Sequence, residues 1–153
     1  MSSQQKVERL IRAEKLPPGH YERRNAQREV DKEYALCKEV EWKWMRKLEV
    51  RYFLSMQQAV NIAAELCRAI GTRPVRKMKK TDRPYEYYGY RCIYVDPRLP
   101  GVSIWTVVHE TAHHVQIIEN MSGSDHGHTF CWIEELLFEA LSGVMRKVCP
   151  QPQ

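Results

Sequence analysis

The sequence predicts an α+β fold, with helices packed on a small antiparallel sheet. Apolar residues recur at helical spacing in the first and last thirds of the chain, while residues 73–95 between them show the shorter alternation of strands. Turn residues cut that middle segment into short pieces: Thr81-Asp82-Arg83-Pro84, Asp96-Pro97 and Leu99-Pro100-Gly101. A chain of 153 residues is long enough to bury one core.

The elements follow in order. Arg24 to Arg51 reads as a long helix, with Val30, Tyr34, Cys37, Val40 or Glu41, Trp44 and Leu48 near helical spacing. Trp42 and Trp44 cannot both face one core, so one of them is expected on a second surface. Residues 1–52 are thus a charged helical N-terminal extension carrying no motif, and residues 53–150 are the main domain, the two forming one unit. Ser55 caps a helix from Met56 to Ile70, which Gly71 stops. Arg73 to Lys80 is a strand with basic residues outward, Tyr85 to Tyr90 an aromatic strand, and Arg91 to Val95 a third. Ser103 caps the next helix, whose buried side is Ile104, Val107, Val108, Ala112, Val115 and Ile118 and which ends at Asn120-Met121-Ser122-Gly123-Ser124. A last helix runs from about Thr129 to Val148, with Phe130, Ile133, Leu137, Ala140, Leu141 and Val144 inward.

Composition narrows the function classes. No run of eighteen apolar residues exists, so no membrane partner is expected, and the first residues lack the apolar stretch of a secretory signal. Five scattered cysteines without a C-x-x-C pair argue against a disulfide scaffold or zinc ribbon and for a reducing, cytoplasmic setting. The net charge of +5 is uneven: Arg68 to Pro100 holds nine basic residues against three acidic ones, and Gly101 onward two against six. Such a basic middle is most often a solvated strand face. It can also attract nucleic acid, here through Arg73, Arg76, Lys77, Lys79, Lys80 and Arg83.

The motif that carries chemistry is His109-Glu110-Thr111-Ala112-His113. Two histidines four apart on a helix project from one face and can share a metal ion. A glutamate beside the first can take the proton of a water that the metal polarises. Catalytic zinc wants three protein ligands and one open position. The third is expected after the helix, where His126, His128 and Asp125 compete with Glu134, Glu135 and Glu139. His126 is preferred because it opens the last helix and Gly127 permits close backbone passage. The metzincin pattern needs Gly at 116 and His at 119, where this chain has Gln116 and Glu119. His114 points about 100° away from His113, toward solvent or a partner behind the ligands. Cys92 and Cys131 read as small core residues rather than ligands. The tyrosines Tyr85, Tyr87, Tyr88, Tyr90 and Tyr94 could include an oxyanion donor.

His109-Glu110-x-x-His113, twelve residues, then His126-Gly127-x-x-Phe130 resembles the SprT-like zinc metallopeptidases and related small bacterial and phage metallohydrolases. The likeness covers about Ser55 to Val148, with its specificity in the two motifs. It implies a zincin-like fold, Zn2+ held by His109, His113 and His126, and Glu110 as general base. SprT-type proteins often carry a C-terminal zinc ribbon, which this chain lacks, and the resemblance does not explain residues 1–52. The expected function is therefore zinc-dependent hydrolysis of a protein or peptide substrate. The alternative is a zincin-fold module that engages nucleic acid through a basic hairpin without catalysis.

Overall fold

The computed structural model describes residues 23–48, 53–83, 85–121 and 126–149, with side chains on the first helix from 35 to 47. Along them run α1 (Arg23–Leu48), β1 (Phe53–Leu54), α2 (Met56–Ala69), β2 (Lys77–Lys80), β3 (Tyr87–Gly89), β4 (Cys92–Val95), β5 (Val102–Ser103), α3 (Ile104–Ile118) and α4 (His128–Val148). The architecture is α+β. No helix among the described residues is long and apolar enough to cross a membrane.

Local chemistry sets the helix ends. Ser55 begins α2 with a capping box: its hydroxyl accepts from Gln58 N–H while the Gln58 side chain accepts from Ser55 N–H. Ser103 caps α3 in the same way through Thr106 N–H. Both helices then stop on one device. Gly71 (φ 78°) and Asn120 (φ 50°) take the left-handed conformation just past the cap. The bonds Thr72 N–H to Cys67 O and Met121 N–H to Gln116 O, each 2.9 Å, close the last turns.

The sheet is mixed, which corrects the antiparallel expectation. Strand order is β2-β4-β3, with β3 antiparallel and β2 parallel to β4. The cause lies in the turn after Gly89. Gly89 pairs with Cys92, so only Tyr90 and Arg91 link β3 to β4, with Arg91 at φ 62°. That tight hairpin occupies one side of β4 and sends β2 to the other. The basic segment is consequently an outer strand and its approach, not a hairpin. Lysines at Lys77, Lys79 and Lys80 suit an edge, where charge discourages pairing with another chain. A second, two-stranded sheet pairs β1 with β5, a contact the sequence did not announce.

Helix α3 lies at the centre. It packs against α2, α4 and β3, and Ile104, Val107, Val108, Ala112 and Val115 are buried in the core. Its polar His109, Glu110, Thr111, His114 and Gln116 are buried too. Helix α1 joins the same core through Cys37 and Trp44. Trp44 stacks on Phe138 of α4 with ring centroids 5.8 Å apart, whereas Trp42 is 68% exposed. Gly101 passes so close to β1 that a Cβ there would sit 2.6 Å from the Leu54 carbonyl oxygen. Gly101→Ala should therefore force β1 and β5 apart and cost about 1–3 kcal/mol, as overpacking does, read as a lower urea midpoint at unchanged slope.

Candidate metal centre

Two helices bring three imidazoles together. His109 and His113 stand one turn apart on α3, and His126 comes from the turn that leads into α4 through its N-cap, Gly127. One ring nitrogen from each lies within 4.8 Å of the others. The Nε2 atoms of His109 and His126 are 3.3 Å apart. Two nitrogens on one tetrahedral zinc, each about 2.0–2.1 Å from it, stand about 3.3–3.4 Å apart. The donor set therefore fits such an ion.

Phe130 explains the spacing of His126-Gly127-x-x-Phe130. It sits on the first turn of α4, fully buried, with ring centroids 5.1 Å from His109, 4.5 Å from His113 and 5.1 Å from His126. One apolar ring thus contacts all three imidazoles. Of the three, His113 is held neutral. Burial pushes His113 down to about 3, helped by repulsion from His109 and His126.

A carboxylate from α1 settles the tautomer of His109. Its Nδ1 donates to Glu41 Oε1 at 2.6 Å, which leaves the Nε2 lone pair aimed at the triad. Burial alone would raise Glu41, but hydrogen bonds from His109, Glu134 and Trp105 outweigh it and hold the group ionised. Glu134 shifts the other way, raised by burial and by its hydrogen bond to Glu41, so it carries a proton. Trp105 stacks on His109 with centroids 5.0 Å apart and donates Nε1–H to Glu41 Oε2 at 2.5 Å.

Glu110 faces a cleft of about 600 Å³ that the three histidines also line. Its side chain makes no hydrogen bond among the described residues and is only 5% exposed. Burial pushes it up to about 7; the neighbouring Glu86 and Glu41 add to the rise and His109 opposes it. Glu86 forms part of the wall and accepts from Thr106 Oγ1 at 2.9 Å. Tyr85, Tyr87, Tyr88, Trp105 and Ile117 give the cleft its apolar surface.

The other candidates lie elsewhere. His128 is exposed on the first turn of α4, and Asp125 falls outside the described residues. Glu134 is buried on the far side of His109, one oxygen 3.9 Å from Nδ1. Glu135 pairs with Lys43 at 3.4 Å, and Glu139 is exposed. Cys92 is buried in β4, and Cys131 is buried with Sγ 4.0 Å from His126 O. His114 does not reach solvent: it is fully buried, donating Nε2–H to Arg73 O at 2.7 Å while Nδ1 accepts from Tyr88 Oη at 2.7 Å. Tyr88 Oη also accepts from Arg91 N–H at 2.7 Å, so this phenol is committed to the fold. Tyr90 and Tyr94 are not on the cleft, which leaves Tyr85 and Tyr87 as phenols able to face a ligand. Arg73, Arg76, Lys77, Lys79, Lys80 and Arg83 are all exposed.

Sequence reasoning missed Glu41, Glu86 and Trp105. Only Glu41 left a signal, as an acidic residue on the apolar face of α1 beside Cys37 and Trp44. No protein-family model, curated protein or solved structure matches the chain. Phe130→Ala should open a cavity against the triad and cost about 3–5 kcal/mol, measured by chemical denaturation. The same substitution should loosen the imidazoles, whereas Phe130→Leu retains most of the packing.

Proposed function

We propose that this chain is a zinc-dependent hydrolase of peptide bonds, a zincin-like peptidase of the SprT-like kind, with His109, His113 and His126 as ligands and Glu110 as general base. The observation that carries the reading is the convergence of three imidazoles beside a buried carboxylate, all opening on one cleft. A zinc ion held by these three imidazoles would supply Lewis acidity toward the scissile carbonyl and a more acidic water. Glu110 accepts the proton of the attacking water and delivers it to the leaving amine. Among the described residues its carboxylate makes no hydrogen bond that would compete with that transfer. Among the described residues β3 pairs only with β4, so its other edge can take an extended peptide by strand addition. The free thiols suit a reducing compartment such as the cytoplasm.

Glu110→Gln should keep stoichiometric zinc and lower peptide hydrolysis by about 10²–10⁴-fold, the usual worth of a general base. Zinc content by atomic emission and cleavage of a denatured protein substrate check this; full activity in the variant would sink the mechanism. His126→Ala should bind far less zinc, and unchanged stoichiometry would transfer the third position to another residue.

A second reading, nucleic-acid binding, draws on one observation. Arg73, Arg76, Lys77, Lys79 and Lys80 are exposed along one edge and form no ion pair among the described residues. Binding of this kind weakens steeply with salt, and neutralising one phosphate-contacting lysine lowers the slope by about one. A DNA or RNA titration at several salt concentrations with Lys77→Gln, Lys79→Gln and Lys80→Gln tests it. Absence of salt-dependent binding leaves the edge as solvated surface.

A further inference from the structure

Several donors converge on a carboxylate that belongs to no recognised motif. Glu41, buried on α1, accepts from His109 Nδ1 at 2.6 Å and from Trp105 Nε1 at 2.5 Å. Cys37 Sγ lies 3.2 Å from its Oε1 and 3.2 Å from Glu134 Oε1. His109 is thereby shared by two groupings, the half-buried triad His109, His113 and His126, and the fully buried tetrad Cys37, Glu41, His109 and Glu134. Either set has ligand chemistry, and the distances separate them.

Two donors on one tetrahedral zinc stand about 3.3 Å apart. His109 and His126 meet that spacing at 3.3 Å. His109 and Glu41, at 2.6 Å, are too close for it and are at hydrogen-bond length. Indole Nε1–H is a donor only, so the second oxygen of Glu41 is already engaged by Trp105. The tetrad is a hydrogen-bonded brace rather than an ion cage. Trp105 touches both members of the pair, stacking on the imidazole while donating to the carboxylate.

We propose that Glu41 is the positioning residue of the metal centre, fixing the Nδ1–H tautomer and ring plane of His109 so that helix α1 sets the affinity of the site. This rests on the zinc reading above. A carboxylate behind a ligating histidine raises its basicity and holds its orientation, and losing such a partner weakens metal binding about 10–100-fold. The helix that looked like an extension is then part of the centre.

The test uses the full chain, with Zn2+ affinity measured by chelator competition and the visible spectrum of the Co2+-loaded protein as a second readout. Glu41→Met fills similar space without an acceptor and should weaken Zn2+ by about 10–100-fold and shift the Co2+ bands. Glu41→Gln keeps an acceptor for His109, so it should fold readily and recover part of the affinity; it carries the test if the methionine variant does not fold. Cys37→Ser should leave affinity within about threefold of wild type, since it removes no partner of a ligand. Wild-type affinity and spectrum in the folded Glu41 variants would overturn the proposal. So would loss of metal in Cys37→Ser, which would place the ion in the tetrad. Failure of the wild-type chain to bind either metal would instead remove the zinc reading, and this proposal with it.

Discussion

Burying a polar side chain costs free energy unless it finds a partner, and α3 is packed on several sides while carrying buried histidines, threonines and a glutamate. Much of the surrounding structure answers that demand. Glu41 on α1 takes the Nδ1 proton of His109. Glu86, on the approach to β3, takes the hydroxyl of Thr106. Tyr88 and the carbonyl of Arg73 take the two ring nitrogens of His114. The strands and α1 are therefore tied to the central helix by directional bonds as well as by apolar contact. Among the described residues, Thr111 Oγ1 is buried without a partner and the carboxylate of Glu110 makes no hydrogen bond. Glu110 differs from the threonine in opening on a cleft, which is where an unpaired buried acid can have chemical use.

The parts of the fold legible in the sequence are those governed by local rules. Ser55, Gly71 and Ser103 act within a few residues of themselves, so cap and stop positions could be read directly. The gathering of His109, His113 and His126 was legible for a related reason: a helical turn fixes the first two, and a short connection returns the third. Pairing between strands was not. Whether β2 lies beside β3 or across β4 depends on which side of β4 the two-residue hairpin occupies, and no pattern within β2 records that choice. The β1–β5 pair joins two-residue strands separated by about half of the domain, too short for alternation to show.

The same limit hid Glu41. On α1 it occupies a face shared with Cys37 and Trp44, a pattern that signals burial but not the identity of the partner. Its role becomes visible only when α1 docks on α4 through Trp44 and Phe138, which brings it against His109. His114 shows the converse. Its place beside a ligand suggested solvent or a partner behind the ligands; a helix packed on several faces leaves the second, and the approach to β2 supplies Arg73 O as an acceptor.

The mixed sheet also separates the two surfaces that could meet a macromolecule. Strand β3 borders the cleft, whereas the basic β2 lies beyond β4 on the opposite edge. Adjacent strands are about 4.8 Å apart, so the two edges are about 10 Å apart across the sheet. A polyanion lying along β2 would leave the triad open, and an extended peptide added to β3 would leave the lysines free. A true β2–β3 hairpin would have made β3 an inner strand. The parallel pairing of β2 with β4 thus leaves β3, among the described residues, paired on one side alone beside the cleft, with the lysines on the far edge.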